Sequence, residues 1–104
     1  MNGKFSSMKK LYVIARKDLT LSQTAVQAGH AVAEYLLHSR FSRWQNETLI
    51  YLGVKGLKQL EFLKYKFDYH GIKYTEFREP DLNNEVTAIV TDVHNQYVER
   101  LNLL

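Results

Sequence analysis

Leu11-Tyr12-Val13-Ile14-Ala15-Arg16-Lys17-Asp18-Leu19, followed closely by Ala25-Val26-Gln27-Ala28-Gly29-His30-Ala31, is the stretch on which the reading of this chain turns. Residues 11–15 are a short apolar, β-rich run of the kind that fills a buried strand, and helical periodicity takes over after Ser22. Between them stands a charged turn. In an open α/β sheet such a turn lies at the carboxyl end of a strand, where these folds place ligands. The helix that follows offers unpaired N–H groups to an anion.

Working outward, Lys10 to Arg16 reads as the first strand, with Ser22 as N-cap of a helix running to about Arg43. Ala25, Gly29, Val32 and Leu36 recur at helical spacing as its narrow apolar stripe. Leu49 to Val54 is a second strand, and Leu57 to Tyr69 an amphipathic helix with Leu60, Leu63 and Phe67 on one face and Gly71 closing it. Lys73 to Phe77 reads as a third strand and Val86 to Thr91 as a fourth, joined by a turn through Pro80, Asp81, Asn83 and Asn84. So short a link makes the last two strands antiparallel and the sheet mixed. His94 to Leu101 closes the chain as a short helix. The expected architecture is a single α/β domain over residues 10–104 with a mixed four-stranded sheet, behind a flexible leader at residues 1–9.

Composition narrows the classes. At 104 residues, 45% hydrophobic and 24% charged, the chain has the makeup of an ordinary globular domain and no run long enough for a bilayer. Cytoplasmic localisation is the expectation. Zero cysteines exclude disulfides, thiol catalysis and thiolate metal sites. The net charge of +3 is unevenly spread: residues 1–58 carry nine Lys/Arg against three Asp/Glu, or +6, and residues 59–104 carry five against eight, or −3. A polyanion would be drawn to the first half, above all to Lys4, Lys9, Lys10, Arg16, Lys17, Arg40 and Arg43, unless this is simply a solvated basic surface.

Taken in order, R-x-D-L at Arg16 to Leu19, A-x-Q-x-x-H-A at Ala25 to Ala31 and the terminal Asn102-Leu103-Leu104 resemble the archaeal and eukaryal class of peptidyl-tRNA hydrolases. The resemblance spans Lys10 to Leu104 in its order of elements and is strongest over the first strand and helix. It implies a three-layer α/β/α arrangement with sheet order 2-1-4-3, hydrolysis of the peptidyl-tRNA ester, and tRNA as partner, with no cofactor and no metal; a homodimer is left open. The family opens its first helix with Gly-Lys, where this chain carries Gln23. The family's long loop, D-A-G-x-T followed by P-G-T, is replaced by Arg78-Glu79-Pro80-Asp81-Leu82-Asn83-Asn84-Glu85, so its aspartate maps to Glu79 or Asp81.

Ester hydrolysis needs a positioned water, a base and donors for the oxyanion. Glu79 or Asp81 can serve as base; Thr87, Lys17 and the backbone N–H groups around Ser22 and Gln23 can orient water or receive charge, and Arg16 can hold a phosphate. The plain alternative for Glu79-Pro80-Asp81 is a capped polar turn. His30 occupies the family's histidine position, yet lies about 12 Å along the helix from Ser22 at 1.5 Å per residue, outside the expected site. Gln27, His30, Glu34 and His38 form a polar stripe, a solvated or groove-lining face that offers tRNA Gln27 beside Gln23, Arg40 and Arg43. His30, Glu34 and His38 also have metal-ligand spacing, but no third cluster of donors joins them. Tyr12, Tyr51 and Phe62 read as core, and Trp44 and Phe41 as helix-end cover rather than stacking platforms for nucleotides. A non-catalytic tRNA- or RNA-binding module on the same scaffold is the alternative function. A protein-interaction domain using the acidic second half is a third.

Overall fold

The computed structural model describes residues 9–38 and 44–104. Its strands are β1 (Lys10–Arg16), β2 (Thr48–Val54), β3 (Thr75–Glu79), β4 (Glu85–Thr91) and β5 (Asn102–Leu103). The helices are α1 (Leu21–His38), α2 (Leu57–Tyr69) and the short α3 (Gln96–Glu99), with a 3-10 turn at Pro80–Leu82. The five strands make one mixed sheet in the order β3-β4-β1-β2-β5. Only β1 and β2 pair in parallel; β4 runs antiparallel to both its neighbours, so β1 and β3 point the same way.

The expected four strands are therefore corrected to five. The pair Asn102–Leu103 adds to the edge of β2, opposite Leu52 and Gly53, a strand too short for periodicity to reveal. Alternation along β1 sends Leu11, Val13 and Ala15 to one face and Tyr12 and Ile14 to the other. The first face packs under α1 through Ala28, Ala31 and Tyr35. The second carries Leu60, Leu63 and Phe67 of α2 and Val98 of α3. Helices thus cover both faces, which is why β1 is apolar on both sides.

Helix α1 buries Thr24, Gln27, Ala28, Ala31 and Tyr35, one position away from the expected stripe of Ala25, Gly29, Val32 and Leu36. Small residues let the helix approach the sheet on either register, and polar anchors choose between them. Thr24 Oγ1 donates to the Arg16 carbonyl at 3.0 Å and Tyr35 Oη to Asp92 at 2.9 Å. The N-cap is Thr20 rather than Ser22: Thr20 Oγ1 accepts from Gln23 N–H at 3.2 Å while Gln23 Oε1 accepts from Thr20 N–H at 3.0 Å. The expected extension of α1 to Arg43 falls on residues 39–43, outside the described residues.

Strand β3 begins two residues later than expected. Trp44 is buried, its Nε1 donating to the Thr48 carbonyl at 3.0 Å, in keeping with its reading as cover for the core. Phe62, read as core, is 59% exposed on α2. That helix ends at Gly71, whose φ is +67°. Gly71 N–H donates to the Asp68 carbonyl at 3.2 Å and Ile72 N–H to that of Phe67 at 2.8 Å, the paired bonds of a Schellman close. Gly71→Ala is expected to cost about 1 kcal/mol of stability through its left-handed backbone, measured by urea unfolding. Among the described residues no helix is long and apolar enough to cross a membrane.

Candidate functional site

The parallel sense of β1 and β3 brings the turn after Arg16 and the turn after Glu79 to one edge of the sheet. A cleft of about 310 Å³ opens there, lined by Leu19, Gln23, Gln27, Glu79, Asp81 and Leu82. Two of its polar lining residues, Gln27 and Glu79, belong to a chain of three side chains drawn from three elements, the third being the buried Thr87. Thr87 Oγ1 donates to Gln27 Oε1 at 2.6 Å, and Gln27 Nε2 donates to Glu79 Oε1 at 2.7 Å. Chemistry fixes the direction: an ionised carboxylate only accepts, so the amide nitrogen faces Glu79 and the amide oxygen faces the Thr87 hydroxyl.

Local structure explains why Thr87 can take part. Phe77 pairs with Ala88 but Arg78 with Val86, so β4 carries one extra residue and Thr87 is the bulged one. Fully buried, it turns towards α1 between two strand neighbours, Val86 and Ala88, that belong to opposite faces. The other oxygen of Glu79 accepts from Asp81 N–H at 3.2 Å, so the residue also caps the 3-10 turn, with Pro80 at its start. The capped-turn reading and the carboxylate reading of Glu79 are both realised in one side chain. Donation from Gln27, and then from the Asp81 backbone, holds the Glu79 carboxyl below the usual glutamate range.

Arg16 does not present itself to a ligand. It is buried, with Nε and Nη2 gripping Asp18 at 2.9 and 2.7 Å and Nη1 donating to Glu85 at 2.7 Å and to the Val86 carbonyl at 3.3 Å. These acceptors raise its pKa, the Asp18 hydrogen bonds foremost, and Arg16 lowers that of Asp18 in return. The expected phosphate contact is thereby corrected: the guanidinium clamps the start of β4 to the end of β1. Glu85 was missed as its partner. The signal was an arginine closing a wholly apolar strand, where burial forces a charge to be paired.

Lys17 is exposed, but its aliphatic stem lies against Gly53 on β2, so close that a Cβ there would collide with it. Lys17 follows β1, two strand spacings from the β3 that Glu79 ends, or roughly 10 Å at about 4.8 Å each, and its stem leans away from Glu79, onto β2. The sheet edge is shared, but Lys17 and Glu79 do not form one cluster. Gln27, expected to contact RNA, is buried and serves instead as the link between Thr87 and Glu79. Gln23 stands in the cleft wall and closes the Thr20 capping box. Arg40 and Arg43 lie outside the described residues.

His30 is nearer the site than a distance along the helix implied, because the site is centred on Gln27 rather than on the helix start. Its ring stacks on Phe77 at 4.5 Å between centroids, two residues before Glu79. Glu34 and His38 pair with each other at 3.0 Å. Among the described residues no three His, Cys, Asp or Glu side chains cluster as metal ligands.

No family model matches the chain, and no curated protein matches it either. What the edge can do chemically therefore rests on its geometry. An ionised, doubly oriented carboxylate stands beside the opening turn of an 18-residue helix, where Thr24 N–H to the Thr20 carbonyl is the first intrahelical bond. The N–H groups of Leu21 and Ser22 precede that bond, in the positive end of the helix dipole.

Proposed function

We propose that the chain hydrolyses the ester of peptidyl-tRNA, or of a related aminoacyl-tRNA, releasing free tRNA. The observation that carries this reading is the Thr87–Gln27–Glu79 chain, which aims an ionised carboxylate into a cleft beside the start of α1. Glu79 takes a proton from water as the water oxygen attacks the ester carbon, and the opening N–H groups of α1 receive the negative charge on the carbonyl oxygen. The carbon–oxygen bond to the ribose then breaks, and the proton passes to the departing hydroxyl. Thr87 has no exposed surface and acts by positioning Gln27. Asp81 lines the same cleft and is the alternative base. Read from the β5 edge the order is β5-β2-β1-β4-β3, which differs from the four-stranded 2-1-4-3 sheet expected of the hydrolase family by the added strand β5; the shared β2-β1-β4-β3 run supports the scaffold reading.

Lys17 belongs, on this proposal, to phosphate contact and not to the oxyanion. Its distance from Glu79 is also the observation that favours the second reading, a tRNA-binding module without turnover. A time course of purified protein with N-acetyl-aminoacyl-tRNA separates the two. Release of free tRNA supports the enzyme; bound but uncleaved substrate establishes the binder. Affinity for tRNA is expected to fall steeply with salt, and Lys17→Ala to lower the log–log slope by about 1. An unchanged slope would remove Lys17 from the interface.

A further inference from the structure

On the face of the sheet opposite α1, a groove of about 640 Å³ runs between α2, α3 and the edge formed by β2 and β5. Its floor is apolar, made by Val54, Leu63, Tyr97 and Leu101. Three cations, Lys55, Lys66 and Arg100, stand along it with Gln59 and Asn102, and no carboxylate lines it. That is unusual in a chain whose second half carries net negative charge. Among the described residues none of the three cations has an ion pair: Glu76 is engaged with Lys64 and Arg78, and Glu99 with His94. Phe62 lies 59% exposed in the wall, with Lys66 Nζ 5.3 Å from its ring centroid.

Helix α2 buries Leu60, Leu63 and Phe67 and exposes three rings, Phe62, Tyr65 and Tyr69, of which Phe62 is the one that lines the groove. Interleaved with unpaired cations it has the makeup of a stacking platform on a charged track, in which an aromatic face takes a base and the cations take the backbone. From Gln59 to Lys66 the helical wall extends about 10 Å at 1.5 Å per residue, so the charges are spread along a path and suit successive phosphates better than one anion. We infer that this groove binds single-stranded nucleic acid, with a base on Phe62 and phosphates on Lys55, Lys66 and Arg100. An acidic peptide would meet the cations but leave the phenyl face unused. The site lies across the sheet from the Glu79 cleft, and the inference does not rest on the hydrolase reading.

Fluorescence anisotropy with a labelled oligouridylate octamer tests it. Binding at low salt is expected, weakened about fivefold or more by Phe62→Leu and retained by Phe62→Tyr, which keeps the ring. Lys66→Gln with Arg100→Gln is expected to lower the salt slope by about 1.4, at roughly 0.7 per contact, and each single variant by about half of that, whereas Lys73→Gln, one charge removed outside the groove, leaves affinity within twofold. Circular dichroism confirms that each variant is folded. Absence of binding, equal binding by Phe62→Leu, or an equal loss in Lys73→Gln overturns the groove. So does polyglutamate that displaces the octamer with the same dependence on Phe62. Loss of ester cleavage would leave these readouts unmoved, so the two proposals fail separately.

Discussion

Glu79→Gln is expected to lower the rate of peptidyl-tRNA cleavage by about a hundredfold to ten-thousandfold, with tRNA affinity nearly unchanged. The amide keeps one oxygen, which accepts from Asp81 N–H, and its nitrogen donates to Gln27 once that amide turns over and passes its own N–H to Thr87 Oγ1, so the cleft keeps its shape and loses the base. The pH profile adds an independent check. Gln27 and the Asp81 backbone favour the charged form of Glu79, so activity in the parent is lost only as pH falls below the usual glutamate range. Gln27→Leu removes the larger of these effects, and the acid limb is expected to move up. It also leaves the buried Thr87 hydroxyl without its acceptor, at about 1–3 kcal/mol of stability. Full activity in Glu79→Gln would refute the assignment, and a large loss in Asp81→Asn alone would transfer it to Asp81.

The second large effect is on stability: Arg16→Ala is expected to cost about 2–3 kcal/mol. Breaking a buried pair costs about 3–5 kcal/mol, discounted here because the Asp18 and Glu85 side chains remain 41% and 36% exposed. For a domain of this size that is a fall of roughly 8–24 °C in Tm, at about 4–8 °C per kcal/mol. Arg16→Lys should recover little, since an ammonium cannot grip Asp18 with two nitrogens while reaching Glu85. The effect has a pH signature. Because Asp18 has a lowered folded pKa, its contribution is present above the unfolded value and is lost as pH falls through the folded one. The gap between the parent and Arg16→Ala should therefore narrow in acid; a gap that stays constant would show that Asp18 is not the partner that matters.

Sequence periodicity located β1 and α2 to the residue, because each carries a full apolar face bounded by clear polar or glycine stops. It failed where the deciding contact was distant. The buried register of α1 depends on Arg16 O and Asp92, neither of which helical spacing can see. Strand β5 exists only because β2 offers it an edge. At the site, Glu79, Asp81 and Gln27 were legible as polar residues in a turn and on a helix face, but the roles given to Arg16 and Gln27 were not. Burial decides both, and burial came from elements 69 and 52 residues away. Phe62 falls off the stripe of Leu60, Leu63 and Phe67 by helical spacing, a signal that its reading as core passed over.

The central position of β1 also has a consequence for how the chain reaches this state. Its two hydrogen-bonding neighbours, β2 and β4, come from opposite directions in topology and from far along the chain, with Arg16 waiting 69 residues for Glu85. During synthesis β1 can pair with β2 early, but its other edge stays open until nearly all of the chain has emerged. An apolar strand with an unpaired edge is a template for pairing with another molecule, and non-local closure is slow. The Arg16 clamp then acts as a latch on β4 as it arrives, and a chain that stops short of residue 85 would display a bare sheet edge ending in a guanidinium held by Asp18 alone.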